Sequence, residues 1–250
     1  MSRVKITQDA GIATVTLARP EKRNALSSET ARALAAAFRE LSNDDALRVV
    51  LLNGAGPSFC AGADVREMAG LDPASAETFI RGLHHAIAAV MDCPVPVVAA
   101  IQGTCVGAGL ELVAGADLRI AADNARFAMP EVLVGVPSVI EAALLPRLIG
   151  RGRSARLVLT GEVVGAALAE RWGLVEEVVA IGELAGRAAA LVQSIAEADP
   201  AAVRAQKLLC RQWDTLALAD AVEASVATFA ASFTTDVPRR RMAAALERRG

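Results

Sequence analysis

The chain has no tyrosine and only six phenylalanines and two tryptophans among its 250 residues. Proteins that bind single-stranded nucleic acid need aromatic faces for base stacking, so that class of partner is disfavoured from the outset. Charge of one sign is not in excess either: 26 basic against 28 acidic residues leave a formal net charge of −2. Such a balance supplies no general attraction to nucleic acid or an anionic membrane, so phosphate recognition must rest on locally placed Arg and Lys. His84 and His85 are the only histidines, and Cys60, Cys93, Cys105 and Cys210 are scattered among apolar neighbours without metal-ligand spacing. The expectation is reduced, mostly buried thiols in a cytoplasmic protein with no bound metal. The N-terminus lacks the basic-then-apolar pattern of a secretion signal. The longest apolar region, Val95 to Leu118, is interrupted by Gln102, Glu111 and several glycines, so no membrane-spanning helix is expected.

What is present is apolar bulk. At 54% hydrophobic, the chain can bury a substantial core as one large domain, or as a domain with an appendage. Its organising stretch is Ser58 to Met68. A β-branched, aliphatic run, Val49 to Leu52, reads as a strand buried on both faces, and Asn53 to Pro57 then breaks the sheet. Ala61-Gly62-Ala63 offers a ligand little except closely approachable backbone N–H groups. Asp64 and Glu67 suit the first turn of a helix. A strand, a small-residue loop and a helix start together make either an anion or oxyanion site or a tight connection without a ligand.

Alternation over Val4 to Gln8 and Ile12 to Leu17 predicts a hairpin, and Ser27-Ser28 caps a following helix. Residues 74 to 91 read as helix, Val97 to Ile101 as a buried strand, and Gln102 to Gly109 as a second small-residue loop. Strands are expected at 117–121 and 126–128, and Met129-Pro130-Glu131 leads into a loop. Ser138 to Leu148 reads as one helix, with Ser138 as cap and Glu141 at the capping-box offset. Two strand–loop–helix units of like design thus recur about fifty residues apart, hinting at a repeated supersecondary turn. Beyond Ser154 helices dominate, interrupted by a strand near 175–179. Asp199-Pro200 starts a run of helices at about 201–213, 216–231 and 238–248.

Glu111 is the most informative carboxylate. It stands in a run otherwise free of charge from Ile101 to Ala116, and its helical neighbours Gly107, Ala108, Ala114 and Gly115 leave space beside it. A carboxylate there needs a backbone or Arg partner, a water, or a purpose. Glu131, aimed by Pro130, reads as a solvated loop residue when taken alone. Its value lies in combination with Glu111 and the two small-residue loops.

Taken together, Arg19-Pro-Glu-Lys-Arg-Asn-Ala-Leu26, Phe59-Cys-Ala-Gly-Ala-Asp-Val-Arg-Glu-Met68, Gly103…Gly107-Ala-Gly-Leu-Glu-Leu112, Asp117-Leu-Arg-Ile-Ala121, Pro130-Glu131 and Gly173-Leu-Val-Glu-Glu-Val-Val179 resemble the crotonase (enoyl-CoA hydratase/isomerase) superfamily in content and order. The resemblance covers essentially the whole chain. It implies an α/β fold, a crotonase-type spiral of ββα units over 1–198, with a helical region over 199–250 that packs subunits into trimers or hexamers. It implies an oxyanion hole from the N–H groups of Ala63 and Ala108, where Ala108 stands at a position often glycine in the family. Glu111 and Glu131 match the two glutamates that hold water in the hydratases, Glu111 activating it and Glu131 delivering a proton. Lys22, Arg23 and Arg66 match positions near coenzyme A, and Ala25, Ala61, Asp64 and Val65 lie beside them as substrate contacts. No cofactor is implied, because coenzyme A arrives as part of the substrate.

One departure bears on specificity. Where the hydratases carry a glycine-rich stretch of Gly-Gly-Thr-Gln-Arg character, this chain has Gly135-Val-Pro-Ser-Val-Ile-Glu-Ala-Ala-Leu-Leu145. Val139, Ile140 and Glu141 are expected to reshape the acyl end of the pocket, with Glu141 either facing substrate or capping at Ser138. Hydration of an enoyl-CoA thioester is the leading expectation. Double-bond isomerisation, decarboxylation and thioester hydrolysis share the same oxyanion hole. A ClpP-like serine protease using Ser58 or Ser138 lacks an evident histidine relay. A catalytically idle acyl-CoA binder, or an RNA-associated relative, is disfavoured by the intact glutamate pair and the mild acidity.

Overall fold

The computed structural model describes residues 2–247. Strands β1 (Val4–Asp9) and β2 (Ile12–Leu17) form the expected antiparallel hairpin, and α1 (Ser28–Ser42) follows it. Ser27 caps α1, its hydroxyl accepting the Thr30 N–H at 3.2 Å. The chain continues through β3 (Val49–Gly54), α2 (Val65–Met68), α3 (Pro73–Met91), β4 (Val97–Ile101), β5 (Thr104–Val106), α4 (Ala108–Ala114), β6 (Leu118–Ala122) and β7 (Arg126–Ala128). Then come α5 (Leu145–Ile149), α6 (Arg151–Thr160), β8 (Val164–Gly165), α7 (Ala166–Trp172), β9 (Glu177–Val179) and α8 (Leu184–Ala196). These elements make one compact unit ending at Glu197.

A six-stranded sheet runs in the order β1-β2-β3-β4-β6-β9, parallel throughout except for the hairpin. A smaller sheet, β5-β7-β8, is joined by a parallel bridge between Cys60 and Cys105. Each turn of the chain therefore lays one long strand in the first sheet and one short segment in the second, which is the repeat visible in sequence. Both faces of the sheet are covered at β4, so that strand is apolar and buried at every position. On β4, Val97, Ala99 and Ile101 pack into the main core, while Val98 and Ala100 meet Leu184, Ala188 and Val192 of α8. Each large aliphatic buried this way contributes roughly 1.5–3 kcal/mol.

Two expectations are corrected. The second small-residue loop is not wholly loop: Thr104–Val106 form β5, and α4 begins already at Ala108. The single helix expected over 138–148 is broken into a 3-10 turn, Ile140–Leu144, followed by α5. Pro146 explains the break, since it has no N–H to give an α-helical bond and its ring crowds the preceding turn. The second compact unit, from Ala198, holds α9 (Pro200–Trp213), α10 (Leu218–Ser232) and α11 (Val237–Glu247). Asp199 caps α9 by accepting the Ala202 N–H at 3.0 Å. Position 248, expected at the end of the last helix, lies outside the described residues. Among the described residues no helix is long and apolar enough to cross a membrane.

The segment Arg19 to Leu26 is fixed by one buried side chain. Asn24 takes a left-handed φ of +57°, which asparagine tolerates better than most residues. Its amide nitrogen donates to the carbonyls of Ala55, Ser58 and Phe59 at 2.8–3.0 Å, and its oxygen accepts the Arg19 N–H at 2.9 Å. Replacing it leaves buried carbonyls unpaired and a left-handed alanine. Asn24→Ala is expected to lower unfolding free energy by roughly 2–4 kcal/mol, read as the shift of a urea denaturation midpoint. An unchanged midpoint would contradict this account.

Candidate active site

Arg19–Leu26 runs alongside the small-residue loop like an added strand. Ala61 N–H donates to Arg23 O, Leu26 N–H to Gly62 O and Asp64 N–H to Leu26 O, at 2.8–2.9 Å. Alternation along an extended chain then turns the Ala63 N–H away from Leu26. It has no hydrogen-bond partner among the described residues, and neither has the Ala108 N–H at the start of α4. The two lie close together because Gly62 and Gly107 touch. Gly62 has φ +90°, and a methyl there would sit 3.0 Å from Val106 O and 3.7 Å from Ala108 N. Gly107 has φ +53°, and a methyl there would sit 2.4 Å from Glu131 Oε1. Only glycine allows the loop, the helix start and the carboxylate to meet in this way.

Ala63, Ala108, Glu111 and Glu131 line one cavity of about 390 Å³. Its remaining walls are mainly apolar: Met68 and Leu71, Phe79, Ile80 and Leu83 of α3, and Val136, Pro137 and Val139. Glu77, whose side chain is mostly exposed and paired with Arg81, also lines it. Glu111 is 3% exposed. Burial first, and then the nearby carboxylates of Glu131 and Glu141, push its pKa up to about 8, partly offset by the Ala142 N–H. Glu131 opens a 3-10 turn, Glu131–Val134, and its Oε2 accepts the Ser138 hydroxyl at 2.8 Å.

Ser138 is therefore not a helix cap. It orients Glu131, a role that sequence spacing did not disclose. Nor is Glu141 a capping residue: its buried carboxylate meets His84 Nδ1 at 2.6 Å, and it is not among the residues lining the cavity. Val139 does line the cavity. Ile140 does not, and it holds φ +42°, a conformation that branched side chains rarely adopt. Asp64 is occupied by the fold: it caps α2 through the Arg66 N–H and pairs with the Arg19 guanidinium at 3.2 Å. Lys22, Arg23, Val65 and Arg66 are exposed beside the loop, with Ala25 and Ala61 half-buried between them. Cys60 is fully buried, and desolvation pushes its thiol up to about 12, so it is inert as a nucleophile. Ser138 and His84 are bonded to separate glutamates, leaving no serine–histidine relay.

A model of the family described as enoyl-CoA hydratase/isomerase matches residues 7–250. The chain belongs to this family. It is 32% identical over 251 residues to the short-chain-enoyl-CoA hydratase of Clostridium acetobutylicum, covering 100% of this chain and 96% of that protein. The crystal structure of an enoyl-CoA hydratase from Mycobacterium smegmatis superposes with a TM-score of 0.95 at 33% identity, covering 98% of this chain and 96% of that one. An enoyl-CoA hydratase structure from Bacillus anthracis gives 0.94 at 29% identity, with 98% and 96% covered. The chain thus has the crotonase-type α/β fold and is an enzyme of the enoyl-CoA hydratase/isomerase family.

The raised pKa of Glu111 has a signed consequence. The unfolded chain releases this proton near the ordinary value of 4.5, whereas the folded protein holds it to about 8. Between those limits the native state binds more protons, so this residue lowers stability as pH rises. Glu111→Gln removes the dependence. Its melting temperature is expected to exceed that of the parent at about pH 8.5, with the gap closing towards about pH 5. Equal gaps at both pH values in thermal melts would refute the assignment.

Proposed function

We propose that this enzyme adds water across the C2–C3 double bond of an enoyl-CoA thioester, through an enolate held by the Ala63 and Ala108 N–H groups. The observation that carries the reading is that both unpaired donors and both carboxylates belong to residues of a single, otherwise mainly apolar cavity. As water attacks C3, the π electrons of the double bond move through C2 to the thioester oxygen. Two donors fixed before reaction stabilise that charge, each worth roughly 3–4 kcal/mol. The water's hydroxyl bonds to C3 and its proton goes to one carboxylate, while the partner gives a proton to C2. One proton enters the pair and one leaves, so the pair holds a single proton before and after turnover.

With its pKa pushed up to about 8, Glu111 is the member of the pair that holds that proton before reaction. Assigning Glu111 to water and Glu131 to C2 therefore begins with the proton passing to Glu131 as thioester and water enter. The apolar walls suit a hydrocarbon acyl group. Lys22, Arg23 and Arg66, exposed beside the loop, suit charge-assisted bonds to the nucleotide phosphates. Two carboxylates on the cavity favour hydration over isomerisation, which needs one. The enzyme is read as a trimer or dimer of trimers acting in the cytoplasm; the exposed Leu218, Val222, Val226 and Phe229 of α10 support burial of that apolar surface between copies.

The test is a spectrophotometric hydration assay over crotonyl, longer and branched enoyl-CoAs. Glu111→Gln and Glu131→Gln are each expected to lower kcat by about 10²-fold or more, with a smaller change in KM. Parental turnover in both variants would reject the mechanism.

A further inference from the structure

Near Glu111, and not among the residues lining the cavity, the chain holds a third carboxylate with a histidine on it. Glu141 is 7% exposed; Oε1 meets His84 Nδ1 at 2.6 Å, and Oε2 is buried with no partner among the described residues. The His84 ring is about half exposed, so the pair runs from solvent into the core. Glu141 and Ala142 sit on the same 3-10 turn, packed against α4, and both act on Glu111: the carboxylate by its charge, Ala142 by its N–H. A buried carboxylate with one orphaned oxygen is costly to keep unless its charge is used.

We propose that His84 and Glu141 form a positioning pair for Glu111: Glu141 places a carboxylate beside it, and His84 holds that carboxylate in position. This rests on the reading of Glu111 as an acid–base group of the hydration. The groups facing Glu111 are Glu131 from the 131–134 turn and Glu141 from the 140–144 turn, with His84 and its neighbour His85 behind Glu141 on α3. From β5 comes only Cys105, a thiol that burial keeps protonated and that donates to Gly109 O. Negative charge at Glu141 tightens the Glu111 proton, and the His84 ring fixes where that carboxylate lies.

Unequal displacements follow from the two replacements, which a merely structural pair would not give. Glu141→Gln keeps the volume and removes the carboxylate charge, so the alkaline limb of the kcat/KM profile, which reports the free enzyme, moves to lower pH by about one unit. His84→Gln keeps a donor to the Glu141 carboxylate, so the limb moves by less than about half as much. The same order is expected without substrate, in the pH dependence of the melting-temperature gap between each variant and its Glu111→Gln double variant. A Glu141→Gln limb and thermal gap that overlay the parent's, or a His84→Gln limb that moves as far as the Glu141→Gln one, would overturn the proposal. If the parent itself fails to hydrate any enoyl-CoA, the functional reading falls, while the thermal gaps still decide whether the pair acts on Glu111.

Discussion

The site depends on two backbones coming closer than side chains normally permit. Gly62 and Gly107 meet at the crossing of a loop and a helix start, both with positive φ, and Glu131 lies against the second of them. A methyl at either position would force the chain segments or the carboxylate apart. The large parallel sheet delivers the first segment after β3, and the smaller sheet sets β5 so that α4 starts beside it. Fold and site are thus linked through a contact between residues that have no side chains to contribute.

Around that crossing the electrostatics are unfavourable to stability. Three carboxylates, Glu111, Glu131 and Glu141, share a poorly hydrated region, and the protein meets the cost by retaining a proton on Glu111 and placing a hydroxyl on Glu131 and an imidazole on Glu141. An apolar replacement would pack at lower cost. A proton kept near neutrality is what acid–base chemistry requires, so the same arrangement that weakens the fold equips the cavity.

Much of this was legible in the sequence because it rests on local rules. The β-branched run at 49–52, the apolar stretch 97–101, the Ser27 and Asp199 caps and the first small-residue loop each declare their structure within a few residues. Glu111 announced itself as a lone charge in an apolar run. Other features were not legible, because they depend on partners distant in the chain or on backbone angles. Ser138 looked like a cap until Glu131 took its hydroxyl. Glu141 looked like its capping-box partner, although His84, 57 positions away, holds it. Asn24 gave no sign that it ties three carbonyls of another loop. Pro146 was the one local signal misread, since it breaks the helix that the apolar spacing suggested.

Ile140 carries a consequence for how the cavity wall came to its present form. Its branched side chain is held at φ +42°, in a region glycine enters freely and isoleucine enters at a cost of roughly 1–3 kcal/mol. Such a residue persists only where its surroundings over-determine the backbone. The path of the chain past residue 140 is therefore imposed from either side, by Val139 against the cavity and Glu141 against the histidine. Glycine or asparagine at 140 would relax the backbone but give up the packing of the isoleucine side chain against the core, so strain and contact at this residue offset one another.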